Sequence, residues 1–562
     1  MTKQAQHPIV KHPGVIHPNP KAENSIQKNC YIVTNKLDLV WFLSELEKKF
    51  NCRLETTHDF TRVYYDTFDW RLYRQNQVLF YQAYKQENKL LLLNNDSGTV
   101  KAIVPLLKPI ESDSILDIPL SVLRDNVAPI IAMRALLYVV RVKGEMQKLV
   151  VRNKDEKIVV RLSIEQNCIS FDNDARQKEL PARIIIESLR GYQSEQRKVK
   201  KLLNSRKSFY AGKYCQLDRA LQSIGRQACN YSSKMNIKLD PSTYSGQAVK
   251  TVLQQLLDTL NANEAGMLKN IDSEFLHDYR VAVRRVRSIL TQMKGTIPRD
   301  KSEYFKGEFS WLGALTTPAR DLDVYLLEFD KFENSLLPEM QSDLLPFRNF
   351  LLVQQQHAYE DLVTEVKSQR YVKLKNSLNT FLRSSSESYK NTPNATIDIK
   401  SQANDRIRHS YHRVIKEADQ LTPDSPANDL HELRKSCKKL RYLLEFFQCL
   451  YPAKEMKELV QQLKHLQDNL GEFQDMDVQS NDLHRFAKMM TEQGVNNSNT
   501  FMAMGFLAEG MAKKKNELRY EFANCYKKFS RKRYRKIFTQ LFNPVKKLAK
   551  KKANKPRAGV GL

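Results

Sequence analysis

Two eleven-residue segments of this chain carry the same charged pattern 154 positions apart, and this repeat restricts the fold more than any other feature. The first runs His277-Asp-Tyr-Arg-Val-Ala-Val-Arg-Arg-Val-Arg287, the second His431-Glu-Leu-Arg-Lys-Ser-Cys-Lys-Lys-Leu-Arg441. A histidine opens each. Cations recur at matching offsets: Arg280 with Arg434, Arg284 with Lys438, Arg285 with Lys439, and Arg287 with Arg441, while Lys435 adds one more in the second copy. A second motif pair, Arg320-Asp-Leu-Asp-Val324 and Gln474-Asp-Met-Asp-Val478, stands at the same 154-residue offset. Two independent motifs at one spacing argue for tandem duplication with no net insertion between them.

Helical geometry says what such a pattern presents. At about 100° per residue, positions 0, +3, +7 and +10 fall within an arc of roughly 80°. His277, Arg280, Arg284 and Arg287 then line one stripe, and His431, Arg434, Lys438 and Arg441 its counterpart. Val283, Val286 and Leu290, with Leu433, Leu440 and Leu444, supply apolar flanks. A plain solvated face usually interleaves acids for i,i+4 pairing, and within these segments no acid follows Asp278 or Glu432. Two cations 7 Å apart at an effective dielectric of 20 repel by roughly 2 kcal/mol before screening. Stacked stripes of this kind therefore point to a multivalent anion. Arginine offers a planar fork to phosphate oxygens and lysine a point charge. A histidine at the head of a stripe could donate to phosphate when protonated, or cap the helix when neutral; its duplication at a cationic stripe favours the first. Asp323 and Asp477 are expected to orient a stripe cation or cap a helix rather than to bind metal.

The rest of the chain sets the frame. Its 562 residues exceed one ordinary core, so two large domains plus tails are expected. Lys and Arg total 91 against 63 Asp and Glu, a formal net charge of +28 that needs an anionic partner. Eight scattered cysteines with no zinc-ligand spacing indicate buried thiols in a reducing compartment. The N-terminus lacks a signal-like apolar core, and no apolar stretch is long enough to span a bilayer, so a soluble cytoplasmic protein with no membrane partner is expected. His7, His12 and His17, each followed by proline, suggest an extended tail rather than a metal site.

Residues 1–24 read as a flexible tail. From 25 to 230 the pattern is mixed, with short strand-like runs at Ser25–Thr34, Arg62–Asp66, Val78–Tyr84, Lys89–Leu93, Lys157–Ile164 and Arg183–Leu189, a helix at Leu37–Phe50, and a basic helical stretch over 195–225. After a linker at 231–244, residues 245–538 show helical periodicity almost throughout. The stretch 513–557 holds 18 Lys and Arg but only Glu517 and Glu521 as acids, which suggests a solvated, partly disordered run ending in a basic tail at 539–562.

These motifs resemble the CHAD family, the conserved-histidine α-helical domain. The carriers are HxxRVxxRRxR at 277, ARDLDV at 319–324, HxxRKxxKKLRY at 431 and LxxLQDxLGEFQDxxV at 463–478. The resemblance implies two tandem helical-bundle repeats around a basic channel that binds inorganic polyphosphate, lined by the stripe residues with Arg320 and Lys464. Residues 25–230 resemble a CYTH, or triphosphate-tunnel, domain through Tyr64-Tyr-Asp-Thr-Phe-Asp-Trp-Arg-Leu72 and Ile184-Ile-Ile-Glu-Ser188. The fold class implied is α+β: an antiparallel, barrel-like CYTH domain followed by an all-α CHAD domain. Active CYTH members hold a divalent metal on an ExExK strand. The equivalent here, Ile26-Gln-Lys-Asn-Cys30, has no carboxylate, the tunnel arginines are replaced by Phe80 and Gln82, and the late strand keeps only Glu187. Clustered carboxylates are what hold Mg²⁺ for phosphate hydrolysis. The domain is therefore expected to be a pseudoenzyme, with no cofactor, and Mg²⁺ only if hydrolysis is retained.

The leading functional expectation is polyphosphate binding by the helical half, with targeting to polyphosphate granules. One alternative is a metal-dependent inorganic triphosphatase working through the N-terminal half. Another is nucleic-acid binding through Lys513–Arg557, whose Tyr520, Tyr526, Phe529, Tyr534 and Phe538 are nonetheless spaced as core or partner-helix contacts.

Overall fold

The structure, a computed structural model, describes residues 28–85, 87–110, 118–171, 174–385 and 392–543. The expected tail at 1–24, residues 544–562 of the expected basic tail at 539–562, the three His-Pro pairs, and Ile26 and Gln27 lie outside the described residues, while the start of that basic tail falls within a helix. The chain divides into two compact units, Met1–Ser232 and Ser233–Leu562.

The first unit is built on nine strands: β1 (Lys28–Val33), β2 (Asn51–Asp66), β3 (Gln77–Tyr84), β4 (Glu87–Asn94), β5 (Val100–Pro105), β6 (Leu137–Arg152), β7 (Ile158–Phe171), β8 (Asp174–Ser188) and β9 (Phe209–Gly212). Between them lie α1 (Lys36–Lys49), α2 (Arg71–Arg74), α3 (Val122–Ile131) and α4 (Gln193–Leu203), and α5 (Leu217–Ser223) follows β9. The sheet order is β5-β4-β3-β2-β6-β7-β8-β1-β9 and every pairing is antiparallel. Its end strands, β5 and β9, are not joined, so among the described residues the sheet is open rather than a closed barrel.

Alternation along the strands sends side chains to opposite faces. Tyr64, Phe80, Leu91 and Val142 enter one core with α5, while Val63, Leu79, Leu90 and Leu92 enter another under α3. At the end of β2, Asp66 accepts from the backbone N–H groups of Thr67, Leu72 and Tyr73 at 2.7, 3.0 and 2.9 Å, and so shapes the turn into α2. The expected helical stretch at 195–225 is interrupted by β9, which pairs with β1.

The second unit is helical: α6 (Ser245–Leu268), α7 (Ser273–Gln292), α8 (Arg299–Leu315), α9 (Thr317–Leu327), α10 (Phe329–Asn334), α11 (Leu345–Val366), α12 (Gln369–Arg383), α13 (Ile399–Asp419), α14 (Ala427–Phe447), α15 (Ala453–Glu492), α16 (Ser498–Phe529) and α17 (Lys532–Phe542). Gly266 lets α6 and α7 approach closely: a Cβ there would lie 2.3 Å from the Phe275 ring. Pro318 has no N–H to donate and is tolerated only in a first helical turn, so α8 ends and α9 begins beside it. The position 154 residues on is Glu472, and there α15 runs unbroken through 40 residues.

Several contacts swap partners at that same offset. Ser245 N–H donates to Ile397 O and Ile399 N–H donates to Thr243 O, both at 2.8 Å. Tyr325 donates its hydroxyl to Asp482 at 3.1 Å, and Gln479 its amide to Glu328 at 3.0 Å. Each member of one pair sits 154 positions from its opposite number in the other, which is the pattern of reciprocal contact that a two-fold axis produces.

The expectation of a loose basic run from 513 onward is corrected as far as Phe542. Lys513 to Phe529 complete α16, and α17 follows. Phe529, Phe538 and Phe542 are buried, and Phe538 stacks on Tyr411 with ring centroids 3.8 Å apart. Apolar residues at helical spacing pin this segment whatever its charge. Tyr520 is the exception, largely exposed.

Candidate polyanion-binding surface

Asp272 starts α7, its carboxylate accepting from Glu274 N and Phe275 N at 3.0 and 3.2 Å. His277 and His431 are each the fifth residue of their helix, so neither caps it, and that part of the expectation is corrected. The flanking Val283, Val286, Leu290, Leu433, Leu440 and Leu444 are all buried and fix which faces of α7 and α14 turn inward.

Of the outer cations, Arg280, Arg434 and Arg441 are held by polar partners, whereas the Arg287 side chain has, among the described residues, a packing neighbour alone. Arg280 donates to Gly313 O at 3.3 Å, Thr316 at 2.9 Å and Thr317 at 3.0 Å, at the α8–α9 junction. Its counterpart Arg434 pairs with Asp475 at 3.3 Å and lies over Gly471, which is the position equivalent to Thr317. Arg287 lies over Gly313; Arg441 bonds Gln467, the residue equivalent to Gly313, at 2.9 Å. The Nδ1 of His431 hydrogen-bonds Gln474, and Arg320, which takes the place of Gln474 in the first copy, donates to Ser273 O at 3.2 Å. His277 is half-buried at the head of the first row, and Lys464 is exposed on α15 one turn before Gln467.

The central cations differ. Among the described residues neither Arg284 nor Lys438 makes a hydrogen bond or ion pair, and Arg284 Nε is buried without a partner. These two occupy equivalent places in the repeat and lie within electrostatic reach of each other. Burial, then repulsion from Arg434, Arg284 and Arg441, pushes Lys438 down to about 7 against the single opposing carboxylate of Asp475. Burial and then Arg284 likewise lower Arg280 in the first row, and burial with Arg284 among its causes lowers Arg434 in the second. The two rows therefore share one field.

The structure separates three candidates from these rows. Arg285, at offset +8, lies about 120° from the centre of its stripe; it is buried and donates to Glu445 and to Ser233 O at 2.9 and 2.8 Å. Lys439 is its equivalent, and its carbonyl accepts from Gln292 at 3.1 Å. Lys435 is exposed and paired with Glu432 at 2.8 Å. Glu445, four residues past Arg441, pairs with it at 3.0 Å, so an acid does stand at the end of the second row. Asp323 accepts from Gln355 and Tyr359 of α11, and Asp477 pairs with Lys515 of α16. Both tie α9 and α15 to outer helices instead of directly bonding a stripe cation.

In the first unit the sequence reading missed a buried cluster. Arg62 of β2 bonds Glu165 of β7 through both Nη atoms at 2.9 and 2.7 Å, and donates from Nε to Gln82 at 2.9 Å. Arg183 of β8 donates to the same carboxylate at 3.1 and 2.6 Å. Burial alone would raise Glu165; the two guanidiniums overcome it and hold this carboxyl below the usual range. Phe80 lies under Arg62, 5.8 Å from ring centroid to guanidinium. No group of His, Cys, Asp and Glu able to hold a metal ion occurs among the described residues, and none of the helices described is long and apolar enough to cross a membrane.

Residues 251–484 match the family model of the CHAD domain, so this part of the helical unit is a CHAD domain. Two uncharacterized proteins of Mycobacterium tuberculosis are each 24% identical over 204 residues, 36% of this chain and 38% of theirs, so the match spans well under half of those relatives. The crystal structure of the CHAD domain from the plant Ricinus communis is similar at 25% identity and a TM-score of 0.44, covering 52% of this chain and 95% of that one. HpAC1 from Hippeastrum, a protein with a dominant triphosphatase activity, is similar at 13% identity and a TM-score of 0.24, over 37% of this chain and 100% of its own.

Proposed function

We propose that the helical unit binds inorganic polyphosphate along the shared cationic face of α7 and α14, which arose by duplication of one half. The observation that carries this is the unpartnered centre. Arg284 and Lys438 are half-buried next to other cations, an arrangement that costs stability when empty and is repaid by a polyanion. The anchored cations around them, Arg280, Arg434 and Arg441, keep guanidinium N–H groups beyond those used in their protein contacts, and these, with exposed Arg287, would meet phosphate oxygens. His277, His431, Arg320 and Lys464 extend the face at its edges. The reciprocal contacts between the halves also favour a polymer without chain direction. A polyphosphate chain reads the same from either end, whereas a nucleic-acid strand does not.

For the first unit we propose a structural or weakly binding role. Glu165, fully buried at the sheet centre, is already neutralised by Arg62 and Arg183, leaving it unsuited to hold a divalent cation. Localisation to polyphosphate granules follows from the binding proposal. The test is a titration of the full chain with polyphosphate of defined length, with duplex DNA and single-stranded RNA as competitors at equal phosphate concentration. Polyphosphate should displace both. Displacement of polyphosphate by nucleic acid would reverse the assignment, since counterion release alone does not separate the two.

A further inference from the structure

Resting on that reading, the inference concerns how the face is regulated. Lys438 is half-buried on α14 between Arg434 and Arg441 of its own helix, and α14 packs against α7 and α15, whose Arg284 and Asp475 lie within electrostatic reach of it. It makes no hydrogen bond or ion pair among the described residues. A half-buried ammonium in that position has lost part of its solvation and has no hydrogen-bond acceptor among the described residues, and three guanidiniums oppose it against one carboxylate already paired with Arg434. An arginine cannot shed its charge to relieve this, but a lysine can. The first copy carries Arg284 at the equivalent place, so only one of the two central positions can titrate.

We propose that polyphosphate binding at this face is coupled to uptake of one proton by Lys438, so that the amine is neutral in the empty site and an ammonium in the filled one. The proton comes from solvent and ends on Nζ; no covalent bond to the ligand forms. Phosphate oxygens supply both the acceptors and the countercharge that the empty site lacks. The sign follows from linkage. Lys438 is held near neutral pH in the empty protein, below the ordinary lysine range. The bound state therefore carries more protons than the free state above pH 7, and affinity falls as pH rises, approaching tenfold per pH unit in that window.

The experiment is calorimetric titration of the full chain with polyphosphate of defined length at about pH 8, repeated in buffers of different ionisation enthalpy so that protons taken up are counted directly. Lys438→Arg is titrated in parallel. It keeps the charge but cannot titrate, while His277, His431 and the end groups of the polymer are common to both proteins. The expected result is close to one more proton taken up by the wild type than by the variant, together with a flatter pH dependence in the variant. Equal proton counts with retained binding would overturn the coupling and leave polyphosphate binding intact; no binding by the wild type at any pH would overturn both. Should Lys438→Arg fail to fold, the pH profile of acetylation at Lys438 in the wild type, mapped by mass spectrometry, decides. A midpoint near 7 that moves upward with polyphosphate supports the coupling, and an ordinary lysine profile in the free protein refutes it.

Discussion

Replacing Arg284 and Lys438 together by alanine removes the two central cations and leaves the anchored ones in place. Each should give a charge-assisted contact to phosphate worth about 1.5–3 kcal/mol. The pair together then accounts for about 3–6 kcal/mol, or roughly a hundred- to ten-thousandfold in affinity. For a single-stranded polyanion each lost contact also lowers the slope of log K against log salt by about 0.7, so the double variant should be flatter by roughly 1.4. Among the described residues neither side chain has a hydrogen bond or ion pair to lose, and Arg284 repels its cationic neighbours, so the melting temperature should hold or rise. Fluorescence titration over a salt series measures affinity and slope, and circular dichroism checks helicity. Unchanged affinity and slope in a fully helical variant would refute the reasoning, because Arg284 and Lys438 hold the equivalent central places of the two rows and neither makes a hydrogen bond or ion pair among the described residues.

Two other substitutions separate architecture from binding. Arg285→Ala should leave the affinity of folded protein unchanged while costing about 1–3 kcal/mol of stability, because Glu445 and the Ser233 carbonyl lose a buried partner; denaturant melts with parallel titrations check both halves of that statement. Glu165→Gln should destabilise the first unit by about 3–5 kcal/mol, since it leaves Arg62 and Arg183 buried without their carboxylate. In the wild type that carboxyl titrates below its ordinary range, so its contribution is present above pH 4–5 and is lost as the pH falls further, about the usual carboxylate range and below. Acid unfolding followed in the β region of the circular dichroism spectrum should therefore begin at higher pH in the variant.

The helical half was legible in the sequence because a period of 3.6 and a spacing of 154 are local and countable. Offsets along α7 and α14 assign the two rows, and the same arithmetic, carried one residue further, would have set Arg285 and Lys439 on another face. The pairing state was not legible. That Arg280 is anchored by Thr316 and Thr317 while Arg284 is not depends on a helix junction more than thirty positions away. In the first unit, β6 went unread although Leu137–Val142 and Leu149–Val151 are rich in Leu and Val; the polar stretch between them masks one long strand. The cluster of Arg62, Glu165 and Arg183 comes from three strands more than a hundred positions apart at its extremes, and no window of sequence contains it. Phe80 and Gln82, which the resemblance to a triphosphate tunnel singles out, both lie beside Arg62 in the structure.

The central claim is that α7 and α14 act as one face rather than two. Binding stoichiometry with a polyphosphate long enough to reach both rows, measured by calorimetry on the full chain, tests it most directly. The account predicts one chain per protein, with most of the affinity gone whether Arg284 or Lys438 alone is replaced by alanine. Two equivalent chains per protein, each lost independently with its own row, would contradict it.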